Sequence, residues 1–243
     1  MIETIAELFR WDYQGQPFVL FGPAHVIALG VILAFILSFF WLRSKAPESW
    51  RRAIRVGMAV VLIVNELAWH LWNAANGEWT IQTMLPLHLC SLFVFLSAAM
   101  LVTRSYKIFE FAYFLGIGGA LQALITPDAG IYGFPHFRFI QTMLSHGLIV
   151  SAAMFMLIVE NDRPTWRSLG KVLLWGNVYM LVVFGLNFLL GSNYMYLAHK
   201  PATASAIDFL GPWPLYLLWL ELIALALFLL MALPFVKRRR INP

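Results

Sequence analysis

Cysteine is nearly absent from this sequence: Cys90 is the only one in 243 residues. That excludes an internal disulfide and any cysteine-cluster metal site. Charge is scarce as well. Asp, Glu, Lys and Arg make up 12% of the chain against 61% hydrophobic residues, and the mean hydropathy is +0.75. A water-soluble domain is excluded on those values. Long polar stretches are missing, so no link is large enough to carry a soluble functional domain. No internal repeat is visible, which argues against an inverted-repeat transporter. The first seventeen residues lack a basic n-region and hold Glu3, Glu7 and Asp12 instead. The first apolar run therefore reads as a retained span rather than a cleaved signal.

What is present is a series of apolar runs, each near the ~20 residues that cross a bilayer as a helix. Seven spans are expected, at about 20–42, 54–74, 84–103, 108–126, 138–159, 170–191 and 213–235. The fold class is all-α, a single polytopic bundle of seven transmembrane helices. Basic residues segregate with this count. Arg43, Lys45, Arg51, Arg52, Arg55, Arg104, Lys107, Arg163, Arg167, Lys171 and the tail Lys237–Arg240 fall on one side, and only Arg10, Arg138 and Lys200 on the other. The positive-inside rule then puts the N-terminus outside and the C-terminus in the cytoplasm. The net charge of +5 is accounted for by this distribution, which argues against a nucleic-acid partner.

Small residues in the fourth span, Gly116, Gly118, Gly119, Ala120 and Ala123, suit close helix packing. The longest link, Ser192 to Pro212, lies outside and is placed to cover the outer mouth. Polar side chains within a bilayer are costly and face a bundle interior or a cavity. Here they gather at one depth: His25, Asn65, Glu66, His70, Asn73, His88, Cys90, Ser91, Gln122, Thr126, Gln141, Thr142, Ser145, His146, Asn187 and Glu221 all fall in the outer halves. Glu66, His70 and Asn73 share one helix face by their spacing. The cytoplasmic halves read as almost wholly apolar. A polar chamber opening at the outer leaflet is expected, with Cys90, His146, His70 and Asn187 roughly 6–12 Å deep at ~1.5 Å per residue.

Pro86-Leu87-His88-Leu89-Cys90-Ser91 is the stretch around which this layer is arranged. Proline is well tolerated at a helix head, so Cys90 is expected about one turn in from an N-terminus. The helix dipole there contributes only ~0.3–1 kcal/mol to a thiolate, too little against an apolar setting. A base is needed, and His88 is on the wrong side of the helix. Thiol acyl chemistry makes Cys90 the nucleophile and His146 the first choice of base, with His70 second and Glu66, one turn away, as its orienter and support. His88, Ser91, Asn73, Gln141, Asn187 and Glu221 line the substrate side, with Asn187, Gln141 or Ser91 as oxyanion donors. The acyl group would pass from an ester to an alcohol, amine or water, and no cofactor or metal is implied. Two other readings stay open: a zinc-dependent lipid hydrolase using Glu66, His70, His88, His146 and Glu221, and a receptor or transporter for a polar solute.

The seven-span layout, Asn65-Glu66, Pro86–Ser91 and His146-Gly147 resemble the YwaF-like integral membrane proteins of bacteria, over roughly residues 15–235. An animal protein similar to that family is described as an acyltransferase moving fatty acyl chains onto ether-linked lysophospholipid. Its presumed catalytic Cys and His fall, by motif, on Cys90 and His146. The resemblance implies a lipid acyltransferase or related hydrolase in a bacterial plasma membrane, with membrane lipids as acyl donor and acceptor.

Overall fold

Prolines and caps decide where the helices begin. In the computed structural model, which describes residues 2–201 and 206–235, a short α1 (Ile2–Glu7) precedes α2 (Pro23–Lys45), which opens on Pro23. At a first helical position the missing N–H costs nothing. Pro47 sits at the N-cap of α3 (Glu48–Ala75). α4 (Leu89–Thr103) stops at Arg104, whose backbone turns left-handed at φ 56°. α5 (Tyr106–Phe111) passes through one π-helical turn, Ala112–Gly116, into α6 (Ile117–Ile125). α7 spans Phe137–Ile158. α8 (Trp166–Leu190) opens on a capping box in which Thr165 and Ser168 satisfy each other's backbone N–H, and closes at Gly191 with φ 64°. α9 (Leu215–Ala232) ends in a 3-10 turn, Leu233–Phe235.

Among the described residues six stretches are long and apolar enough to cross a membrane: α2, α3, α5–α6, α7, α8 and α9 with its terminal turn. The third expected span is shorter than the sequence reading made it. Only fifteen residues of 84–103 are helical. Pro86 lies in the irregular approach, His88 is the N-cap, and Cys90 is the second helical residue instead of lying a turn further in. The basic tail Lys237–Arg240 lies outside the described residues.

Hydrophobicity alone did not show which helix is central. α7 is, with 72% of its apolar window buried against 17% for α2, α8 and α9. α4 and α7 run in the same direction, because their C-terminal ends are tied together by the Arg104–Glu160 ion pair. That end also holds Arg55, which donates to the carbonyl oxygens of Leu101 and Val102 and lies 3.7 Å from Glu160. Nearby, the buried Glu110 carboxylate accepts from Ser168 Oγ at 2.6 Å and from Lys171 Nζ at 2.8 and 2.9 Å. The expectation of an apolar basic end is therefore corrected. Charges are buried there, but they are paired, which is the condition under which burial is tolerated.

The other end is covered by two segments. In the loop after α8, Tyr194 and Leu197 join Val183 of α8 at the centre of a small hydrophobic cluster. Residues 8–11 cross the bundle as a strap that the sequence reading did not foresee. Its carbonyls accept in succession from Phe137 N–H at 2.8 Å, Trp72 Nε1 at 2.7 Å, His136 Nε2 at 3.0 Å and Tyr132 Oη at 2.8 Å. Gly133 lets the chain after the strap approach closely as well: a Cβ there would lie 2.3 Å from the Gln16 carbonyl oxygen.

Candidate active site

Two helix contacts fix the depth of the central residues. Arg55 on α3 binds the Leu101 and Val102 carbonyls of antiparallel α4. Counting equally from that contact, outward along α3 and back along α4, brings Glu66 opposite Cys90. The second contact is at Gly116, where a Cβ would lie 3.2 Å from Phe93 and 3.6 Å from Ile149. One turn back along α4 from Phe93 is Cys90. One turn back along α7 from Ile149 is His146. Since α4 and α7 are co-directional, Cys90 and His146 lie at one level, each with part of its surface open. Glu66 is 3% exposed and sits within electrostatic reach of Cys90, with Ser91 and Arg138 also acting on its carboxylate. Among the described residues no hydrogen bond joins Cys90 to a histidine.

The histidines differ in which nitrogen is free. A carbonyl oxygen only accepts, so a ring nitrogen facing one carries the proton, and a ring nitrogen facing an N–H does not. His25 Nδ1 accepts from Phe21 N–H at 3.1 Å and its Nε2 donates to the Leu124 carbonyl at 2.7 Å. His70 Nδ1 accepts from Trp79 Nε1 at 2.9 Å, which leaves Nε2–H facing Glu66 Oε1 at 3.7 Å. His88 Nδ1 accepts from Met195 N–H at 3.2 Å, and His136 Nδ1 accepts from Arg138 N–H at 3.0 Å. All four thus hold their proton on Nε2. His146 is reversed: its Nδ1 donates to the Thr142 carbonyl at 2.8 Å, and its Nε2 keeps a basic lone pair. His146 has the tautomer of a general base; His70 and His88 have that of a donor.

The remaining residues divide by what already occupies them. Gln141 is in the layer, its backbone oxygen accepting from Asn65 at 3.1 Å and its side-chain oxygen from Arg138 at 2.7 Å. Asn73 turns back onto the Trp69 carbonyl of its own helix at 2.8 Å. Asn187 anchors the covering loop, donating to the Tyr194 carbonyl at 2.9 Å and accepting from Tyr194 N–H and Ser192 Oγ, each at 2.8 Å. Glu221 accepts from Asn177 at 2.8 Å between α8 and α9. The five zinc-type side chains therefore do not converge, and no group of three His, Cys, Asp or Glu suited to a metal occurs among the described residues.

Arg138 is the residue the sequence reading left out, having counted it only as one of three outer basic residues. Its guanidinium stacks 4.1 Å from the Trp69 ring centroid, donates to Gln141 and has no carboxylate within 4 Å among the described residues. The signal was there: Trp69 and Glu66 share a face of α3, one turn apart.

Comparison with known protein families gives a match over most of the chain. The model of the TMEM164 family, a family of membrane proteins, matches residues 20–232, and the chain belongs to that family. Its apolar helices agree with a multi-pass membrane protein. No curated protein and no solved structure matches it.

Proposed function

We propose that this TMEM164-family chain is a lipid acyltransferase of the membrane, with Cys90 as nucleophile and His146 as base. The observation that carries this reading is the reversed tautomer of His146 at the level of Cys90. A base must present an unprotonated nitrogen to the proton it takes, and of the histidines in the layer His146 does so. Nε2 removes the thiol proton, the sulfur attacks an ester carbonyl, and the acyl group rests as a thioester before an acceptor alcohol takes it. Glu66 and His70 sit behind this pair, with Ser91 and Gln141 on its walls. The family's name fits the animal acyltransferase that the sequence resembles, and the YwaF-like resemblance supports a bacterial plasma-membrane setting. Donor and acceptor are membrane lipids, which reach the site between helices.

The orientation follows from charge. Seven crossings, with α4 as the short third one, put the basic end in the cytoplasm and the polar end outside. A reporter fused after Pro243 should then be cytoplasmic and a tag before Met1 external; both on one side would remove the odd count.

A single purified sample chooses among the readings. Acyl exchange between phospholipids that survives chelation and is lost in Cys90→Ala is the expected outcome. Zinc content tracking activity, with Cys90 replaceable, would support the hydrolase alternative. Saturable solute binding with no lipid turnover would support the receptor or transporter.

A further inference from the structure

Met195 and Tyr196 are consecutive non-glycine residues in left-handed backbone, with φ of 57° and 54°. Such residues are uncommon and persist only where the surroundings over-determine them. Here three helices do so. Asn187 of α8 holds both backbone groups of Tyr194. His88 at the head of α4 takes the Met195 N–H. Tyr216 of α9 donates its hydroxyl to the Tyr196 carbonyl. Two residues expected to line the substrate side, Asn187 and His88, are thus occupied in fixing where Tyr196 points.

That position is beside the head of α4, the helix that carries Cys90. The Tyr196 ring lies 5.5 Å from the His88 ring, two residues before Cys90, and within electrostatic reach of Cys90 and Arg138. It also lines an open groove of about 290 Å³ with Gln82, Thr83, His88, Asn193 and His199. Its hydroxyl is uncommitted. The hydroxyls of Tyr106, Tyr113, Tyr132, Tyr179, Tyr194 and Tyr216 each bond a backbone carbonyl. That of Tyr196 has no hydrogen-bond partner among the described residues. Burial pushes this phenol above its ordinary value, with Asp128 and Cys90 adding to the effect, so it remains a protonated donor at neutral pH.

We propose that Tyr196 is a catalytic residue, its phenol O–H donating to the oxyanion formed when the Cys90 sulfur attacks an ester; this rests on the acyl-transfer reading above. His146 Nε2 takes the proton from Sγ, and the sulfur pair forms the S–C bond while the carbonyl π pair moves onto oxygen. Tyr196 donates a hydrogen bond to that oxygen and keeps its proton. Collapse restores the C=O bond and breaks the ester C–O bond, and the leaving alkoxide takes the proton from His146. The products are a thioester on Cys90, an alcohol and neutral His146.

The test compares two reactions of Cys90 in the purified full chain. Acylation by p-nitrophenyl dodecanoate passes through an oxyanion; alkylation by iodoacetamide does not. Tyr196→Phe is expected to slow acylation at saturating ester about 10²–10³-fold, as losing one oxyanion donor does, with KM changed less than about threefold. Alkylation should stay at the wild-type rate, which also shows that the site is intact. No slowing of acylation, or equal slowing of both reactions, overturns the assignment while leaving Cys90 as the nucleophile. A wild-type Cys90 that alkylates but never acquires the dodecanoyl group overturns the acyl-transfer reading itself, and the Tyr196 assignment with it.

Discussion

Cys90→Ala is expected to abolish lipid acyl exchange, and His146→Ala to reduce it about 10²–10⁴-fold, the usual contribution of a positioned base. The double variant should fall no further than Cys90→Ala, because residues that share one step lose it together. His70→Ala should cost much less. Its proton is on Nε2, held there by the Trp79 bond at Nδ1, so it cannot take the thiol proton without first changing tautomer. Cys90 should also react with iodoacetamide faster in wild type than in His146→Ala. If labelling and turnover are unchanged in His146→Ala, the pairing is wrong and His70 with Glu66 becomes the candidate.

The largest stability effect is expected far from the site. Arg55 and Glu160 pair with side chains only 8% exposed each, and Arg55 also binds the last carbonyls of α4. Removing one partner of such a pair leaves the other buried and uncompensated. Arg55→Met is expected to cost about 3–5 kcal/mol of unfolding free energy, read from denaturant unfolding in detergent. Arg104, half-exposed, still reaches Glu160, which favours the lower end. A loss below about 1 kcal/mol would mean that the pair does not fix the α3–α4 register, and the alignment of Glu66 with Cys90 would lose one of its supports.

Much of the helical layout is legible in the sequence because a bilayer leaves the backbone little choice. Where water is excluded every N–H and C=O must be satisfied within the segment, so apolar runs become helices. The short α4 escaped that logic. Pro86 was read as a helix head, but His88 is bound to Met195 and the chain stays irregular up to Leu89. Depth along each helix is countable, and that count sets Cys90, His146 and Glu66 in one polar layer. Their roles were not countable. Nothing in the sequence tells that Thr142 would fix the proton of His146, that Trp79 would occupy His70, or that Asn187 would serve the loop. Those assignments depend on which partner a nitrogen meets across helices. Tyr196 was visible only as an aromatic in a covering loop, since its aim comes from a backbone conformation that sequence propensity does not favour.

The most direct measurement is the intact mass of the purified chain after brief exposure to a phospholipid donor, with acid quenching before an acceptor can react. The expected result is a fraction of chains heavier by one fatty acyl group, mapped to Cys90, released by neutral hydroxylamine as a thioester is, and absent in Cys90→Ala. An acyl adduct on any other residue, or phospholipid turnover that continues in Cys90→Ala, would contradict the account.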